Sequence, residues 1–294
     1  MVLESIIVML LWGSLFPAVK LGYEAFAIDT SFYPNLLMFA GLRFLVSGGI
    51  LSCICLRRHE RLGECRGKGT AGILGVGLFA VALHYSCTYI GLSVTDSSKT
   101  ALMKQLGVLF FICFSFLFFK EDHFSVFNVI CALLGLAGII VLNVNDIGIS
   151  FGLGESLIIL SSVFSVASNI ICKKYTAGIP PMLVTAYSQL FGGAVLTAAA
   201  FIAGGKTGLI SSQSIGIFAY ICIATCISYV LWNKNVQRGV LSKLFVIKFL
   251  EPLFATVFGA FLLKEDIFKI EYLIALLLIL AAILISNIKP SSGK

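Results

Sequence analysis

The chain has 294 residues, 59% of them hydrophobic and 12% charged, with a formal net charge of +7. A soluble domain carries about 25% charged residues, and so little polar surface cannot cover so much apolar side chain, so the chain is read as a membrane protein. Its basic residues gather in the joins between apolar runs, where they orient a membrane protein and do not mark a nucleic-acid site.

Crossing a bilayer takes about 20 apolar residues in a helix. Ten runs qualify: roughly 3–22, 34–56, 70–92, 98–119, 124–143, 152–172, 181–203, 214–232, 240–262 and 269–287. The first lacks a basic leader and is followed by further spans, so it reads as an uncleaved helix. The join at 57–69 holds Arg57, Arg58, Arg61, Arg66 and Lys68. Joins on that side also hold Lys120, Lys173, Lys174, Lys234 and Arg238, and the tail adds Lys289 and Lys294. On the other side, 23–33 and 143–152 have no basic residue, and Lys99, Lys206, Lys264 and Lys269 are the exceptions. This asymmetry predicts cytoplasmic N- and C-termini in a multi-pass protein of the plasma (inner) membrane. Nine cysteines lie mainly within apolar runs, with Cys65 in a polar loop and no C-x-x-C pair. They read as small apolar residues, and no metal site or cofactor is expected.

Displacing the chain by 144 residues aligns 83–143 with 227–287 without a gap, and 19 of 61 positions are identical. Tyr85 falls on Tyr229, Lys104 on Lys248, Phe110 on Phe254, and the triplet Lys120, Glu121, Asp122 on Lys264, Glu265, Asp266. Upstream, Pro34 and Arg43 fall on Pro180 and Gln189 at an offset of 146. The expected fold is an all-α membrane protein of ten transmembrane helices in two five-helix repeats. Five is odd, so the second repeat enters from the opposite face: an inverted repeat, with a site expected at the repeat interface near the midplane. The units are residues 1–143 and 152–287, with 288–294 as a cytoplasmic tail.

The stretches "LLWGSLFPAVK" at 10–20 and "GLRFLVSGG" at 41–49, with the two KED endings, resemble the EamA family of the drug/metabolite transporter superfamily. The resemblance spans nearly the whole chain. It implies a ten-helix bundle around a central cavity open alternately to each side, and export of amino acids, metabolites or drugs. The chain departs from the family pattern at Val108, where the fourth helix typically has proline; the ninth helix keeps Pro252.

Ionisable residues inside a span are costly and mark functional or structural sites. Arg43 reads either as a carboxylate-binding guanidinium or as a stitch between helices. Lys104 and Lys248 lie about six residues into their helices, or about 9 Å at 1.5 Å per residue, deeper than anchoring requires. Glu251 follows Lys248 by three residues and reads as its ion-pair partner or as a proton-sensitive carboxylate. His84 reads as hydrogen-bonded or as titratable near neutral pH. Tyr85, Tyr229, Trp12, Gln105, Asn169 and Gln189 complete the candidate pathway. Pro252 deprives the Lys248 carbonyl of its helical donor, and Pro17 does the same to Gly13, so both are expected helix breaks. Glycines at 72–77 and Gly135 with Gly138 read as close helix contacts.

A membrane-embedded enzyme would need a polar constellation at one face. His59 with Glu64, and Glu121 with Asp122 and His123, are the available clusters, and both look like solvated loop charge. The expectation is therefore a transporter and not an enzyme. Its partners are a small-molecule substrate, the lipid bilayer and protons, with no nucleic acid, and the chain acts as a monomer or homodimer. The rival within transport is a carrier of organic phosphates or nucleotide sugars, kept open by Arg43, Lys104 and Lys248.

Overall fold

The computed structural model describes residues 1–60, 62–65, 67–92, 97–119, 126–142, 152–263 and 270–288. Both KED triplets, the 143–151 join and the 289–294 tail lie outside the described residues. Among the described residues seven helices are long and apolar enough to cross a membrane. Three shorter apolar helices, Gly107–Leu117, Val126–Val141 and Leu273–Ile285, complete ten.

The chain begins with α1 (Val2–Ala25) and α2 (Tyr33–Arg57), the latter started by Pro34 in its first turn. There a missing N–H costs nothing. Between them Asp29 accepts hydrogen bonds from the Ser31 hydroxyl and N–H, which hold its exposed carboxyl below the usual carboxylate range. Helix α3 consists of Lys68–Val76, a π-helical segment Gly77–Leu83 and His84–Leu92. Then come α4 (Ser97–Phe114), α5 (Val126–Leu142) and α6 (Leu153–Tyr175). Next are α7 (Pro181–Ile202) and α8 (Ser212–Arg238), capped by a reciprocal Ser211–Ser214 pair. Helix α9 is broken into Leu241–Ile247 and Leu250–Leu263, and α10 is Ile270–Ile288.

The packing repeats when the halves are exchanged. Helix α1 packs on α8 and α9; its counterpart α6 packs on α3 and α4. Helices α2 and α7 pair with each other, as do α5 and α10. Along the α2–α7 seam Pro34 meets Gly205, Gly41 meets Thr197, and Gly48 meets Leu190 and Ala186. The contacts advance along one helix as they retreat along the other, so these repeat-equivalent helices run antiparallel, as an inverted repeat requires.

Glycine permits the closest approaches. A side chain at Gly77 would run into the Ser188 carbonyl, and one at Gly192 into the Gly77 carbonyl. Gly135 faces Phe249 and Gly138 faces Ile279, as the small-residue reading expected.

One end of the bundle is tied by polar contacts. Lys234 pairs with Glu4 at 2.6 Å, Asn235 donates to Ser5 at 3.0 Å and Gln237 to the Thr176 carbonyl at 2.9 Å. Lys173 is no freely solvated join charge: it is buried and donates to the Gly239 carbonyl at 2.6 Å.

Candidate functional site

Helix α3 brings Tyr85, and α8 brings Tyr229, to a shared point where their hydroxyls lie 3.0 Å apart. These are the two residues that coincide when the sequence is displaced by 144. Phe44 of α2 packs against both rings, with centroids 4.8 and 5.9 Å away.

Arg43 is 3% exposed. Its guanidinium carbon lies 4.4 Å from the Phe44 ring centre and 5.2 Å from that of Tyr85, and Tyr23, Tyr89 and Tyr229 are within electrostatic reach. Among the described residues its Nε has no hydrogen-bond partner, and no carboxylate pairs with it. Aromatic faces offset part of a cation's desolvation cost, by about 2 kcal/mol where water is excluded. Among the described residues Arg43 is held by aromatic faces, with no carboxylate beside it.

Lys104 and Lys248 are partly accessible and lie within electrostatic reach of Glu251. Their surroundings differ. Among the described residues Lys104 Nζ has one ring near it, Phe16 at 5.8 Å. Lys248 Nζ lies 5.7 Å from the ring centre of Trp12, 5.5 Å from Trp232 and 5.0 Å from Phe245. Among the described residues Lys248 and Glu251 form no ion pair. The i, i+3 pair, one of the two readings open for Glu251, does not form among the described residues: α9 breaks between its members, so they no longer share a regular helical face. The break lies where Pro252 removes a donor: the Lys248 carbonyl accepts instead from the Glu251 N–H at 3.0 Å. Pro17 does not break its helix. Helix α1 runs unbroken through it, while Gly13, whose carbonyl loses its donor, packs directly on the backbone of Phe254 and Ala255.

His84 Nδ1 lies 2.9 Å from the Ser161 carbonyl. A carbonyl only accepts, so Nδ1 carries the proton and ties α3 to α6. Asn169 accepts from the Trp232 indole N–H at 2.7 Å and donates to the Ser165 carbonyl at 2.7 Å. Trp12 donates to the Ser228 hydroxyl at 3.1 Å. Gln189 is 1% exposed, and among the described residues neither its amide oxygen nor its nitrogen has a partner. Gln105 Oε1 is likewise buried and unpartnered. On α7, Gln189 stands one turn from Thr185, which meets the Tyr229 carbonyl, and one turn from Gly193, which meets Phe44. That ridge runs between the backbones of α2 and α8.

Trp232, Tyr89, Tyr23, Phe44 and Phe245 belong to this neighbourhood and were not singled out from the sequence. Tyr89 stands one turn after Tyr85, and Trp232 three residues after Tyr229; helical spacing from the repeated tyrosine was the available signal.

Ten helices in two inverted repeats, meeting at buried polar and aromatic residues, define the class: a transport protein built from paired repeats. The EamA-like transporter family matches residues 1–144 and again 152–287. The chain belongs to that family: it is a multi-pass membrane transporter of small molecules. Over 284 residues it is 27% identical to "Uncharacterized inner membrane transporter YedA" of Escherichia coli (strain K12), covering 94% of this chain and 87% of that one. Over 289 residues it is 26% identical to "Uncharacterized transporter YvbV" of Bacillus subtilis (strain 168), covering 97% and 90%. A solved crystal structure at 19% identity matches with a TM-score of 0.79 over 97% of this chain and 96% of the other, a likeness of fold.

Proposed function

We propose that this transporter exports small metabolites, amino acids or related compounds, across the plasma (inner) membrane by alternating access. The two units, 1–143 and 152–287, rock about the Tyr85–Tyr229 contact, and the termini, including the tail at 288–294, are cytoplasmic. The observation that carries the reading is the charge at the repeat interface. Lys104 and Lys248 lie within electrostatic reach of one carboxylate, Glu251, Arg43 lies against Phe44 and Tyr85, and among the described residues none of the three is ion-paired. Unpaired cations in a water-poor interior favour a substrate carboxylate. Glu251 couples transport to protons. The inner-membrane placement draws on the name of the YedA relative. The chain works as a monomer or homodimer.

The same excess of cations favours, as second reading, a carrier of organic phosphates or nucleotide sugars. Counterflow in proteoliposomes against a substrate panel separates the two. Exchange of neutral amino acids is the expected result, and exchange of phosphorylated compounds alone would replace the first reading with the second.

A further inference from the structure

Lys248 lies among three aromatic rings, and two of them are anchored by hydrogen bonds that do not involve it. Trp12 is held by the Ser228 hydroxyl and Trp232 by the Asn169 amide, and Asn169 is itself bonded to the Ser165 carbonyl. The two indoles sit 5.2 Å apart with planes inclined at 51°, and Phe245 lies 6.3 Å from Trp232. Tyr229 continues the aromatic wall, 5.5 Å from Trp12. Three rings from α1, α8 and α9 thus surround one ammonium at 5.0–5.7 Å. Clustered π-faces attract organic cations, and quaternary ammonium groups most distinctively, because those have no N–H to lose from water.

The occupant is less fixed than the walls. Lys248 sits in the break of α9, its own N–H bonded to Phe245 and its carbonyl to Glu251 in short three-residue turns. Its ammonium has no ion pair among the described residues, while Glu251 lies three residues ahead and within electrostatic reach. The repeat-equivalent Lys104 stands in an uninterrupted helix, beside a single ring among the described residues. One of the two duplicated lysines therefore has both an aromatic enclosure and a backbone joint.

We infer that Trp12, Trp232 and Phe245 form a binding subsite for an organic ammonium group, occupied in this state by the side chain of Lys248. A substrate ammonium takes the subsite, and Lys248 turns toward Glu251 as it leaves. This deepens the transport reading, on which it rests, by assigning the substrate a cationic end as well as a carboxylate. A ligand that must displace an internal competitor binds more weakly by the fraction of time the subsite is filled.

The chain has two tryptophans, and both are walls of the subsite, so intrinsic tryptophan emission reports on it directly. The test is a titration of the purified full-length chain in nanodiscs with tetramethylammonium chloride, against sodium chloride at equal ionic strength. Lys248→Ala is expected to give a saturable emission change with a Kd about tenfold below that of the native chain, and adding Phe245→Ala should remove it. Lys248→Gln, which keeps most of the stem without the charge, provides a second variant if Lys248→Ala does not fold. A response equal to that of sodium chloride in both Lys248 variants would overturn the subsite, as would equal affinity in native and variant chains. The titration needs no transport. A chain that binds tetramethylammonium but exchanges no amino acid keeps the subsite and loses the amino-acid reading.

Discussion

The Tyr85 and Tyr229 hydroxyls meet at 3.0 Å across a sequence separation of 144 residues, which is also the displacement that superposes the duplicated segments. Residues equivalent by duplication touch each other only near the axis relating the two halves. Their contact marks that axis, and the conserved register of the duplication has a structural consequence there. Replacing either tyrosine by phenylalanine should cost about 1 kcal/mol of stability, and replacing both should cost little more than one. Thermal unfolding of the four chains in detergent forms the double-mutant cycle; additive losses would mean the hydroxyls do not act on each other.

The break in α9 lies where Pro252 removes an N–H. Pro252→Ala restores a donor one turn beyond the Lys248 carbonyl and should draw Lys248 and Glu251 toward one regular helix. A higher melting temperature together with a lower counterflow rate is the expected pair of changes. An unchanged rate in a stabilised protein would show that the break does not serve transport.

Glu251 is the carboxylate within reach of both lysines. Glu251→Gln should flatten the dependence of transport on external pH while substrate exchange persists. A variant that keeps the native pH profile would remove Glu251 from proton coupling.

At the α3–α7 crossing, Gly192 stands against the Gly77 carbonyl and Val81. Gly192→Leu has no room there, and overpacking of this kind costs about 1–3 kcal/mol. The melting temperature should fall clearly, whereas leucine at Gly216, which has open space around it, should leave it near the native value.

The scaffold was readable because hydropathy, loop charge and duplication are each written along the chain. Ten apolar runs correspond to ten helices, and the glycines chosen as close contacts are close contacts. Pro252 and Pro17 carry the same local signal, yet α9 breaks and α1 does not. Gly13 on α1 is pressed against α9, a tertiary fact with no trace in the local sequence. The Lys248–Glu251 pair failed for a related reason, since i, i+3 geometry presumes the helix that Pro252 interrupts. Trp232 escaped notice because a tryptophan in an apolar run looks like packing. Its role depends on Asn169, 63 residues away in the chain.

On the proposed mechanism the cluster around Lys104, Lys248 and Glu251 lies on a pathway that opens to either side of the membrane. Thiol accessibility is the measurement that decides this. A cysteine replaces Lys104 in a chain whose nine native cysteines have been removed, and membrane-impermeant maleimide is applied to oriented vesicles from each side. Labelling from both sides, with the ratio shifted by substrate, is the predicted result. Labelling from one side alone, unchanged by any transported compound, would contradict it.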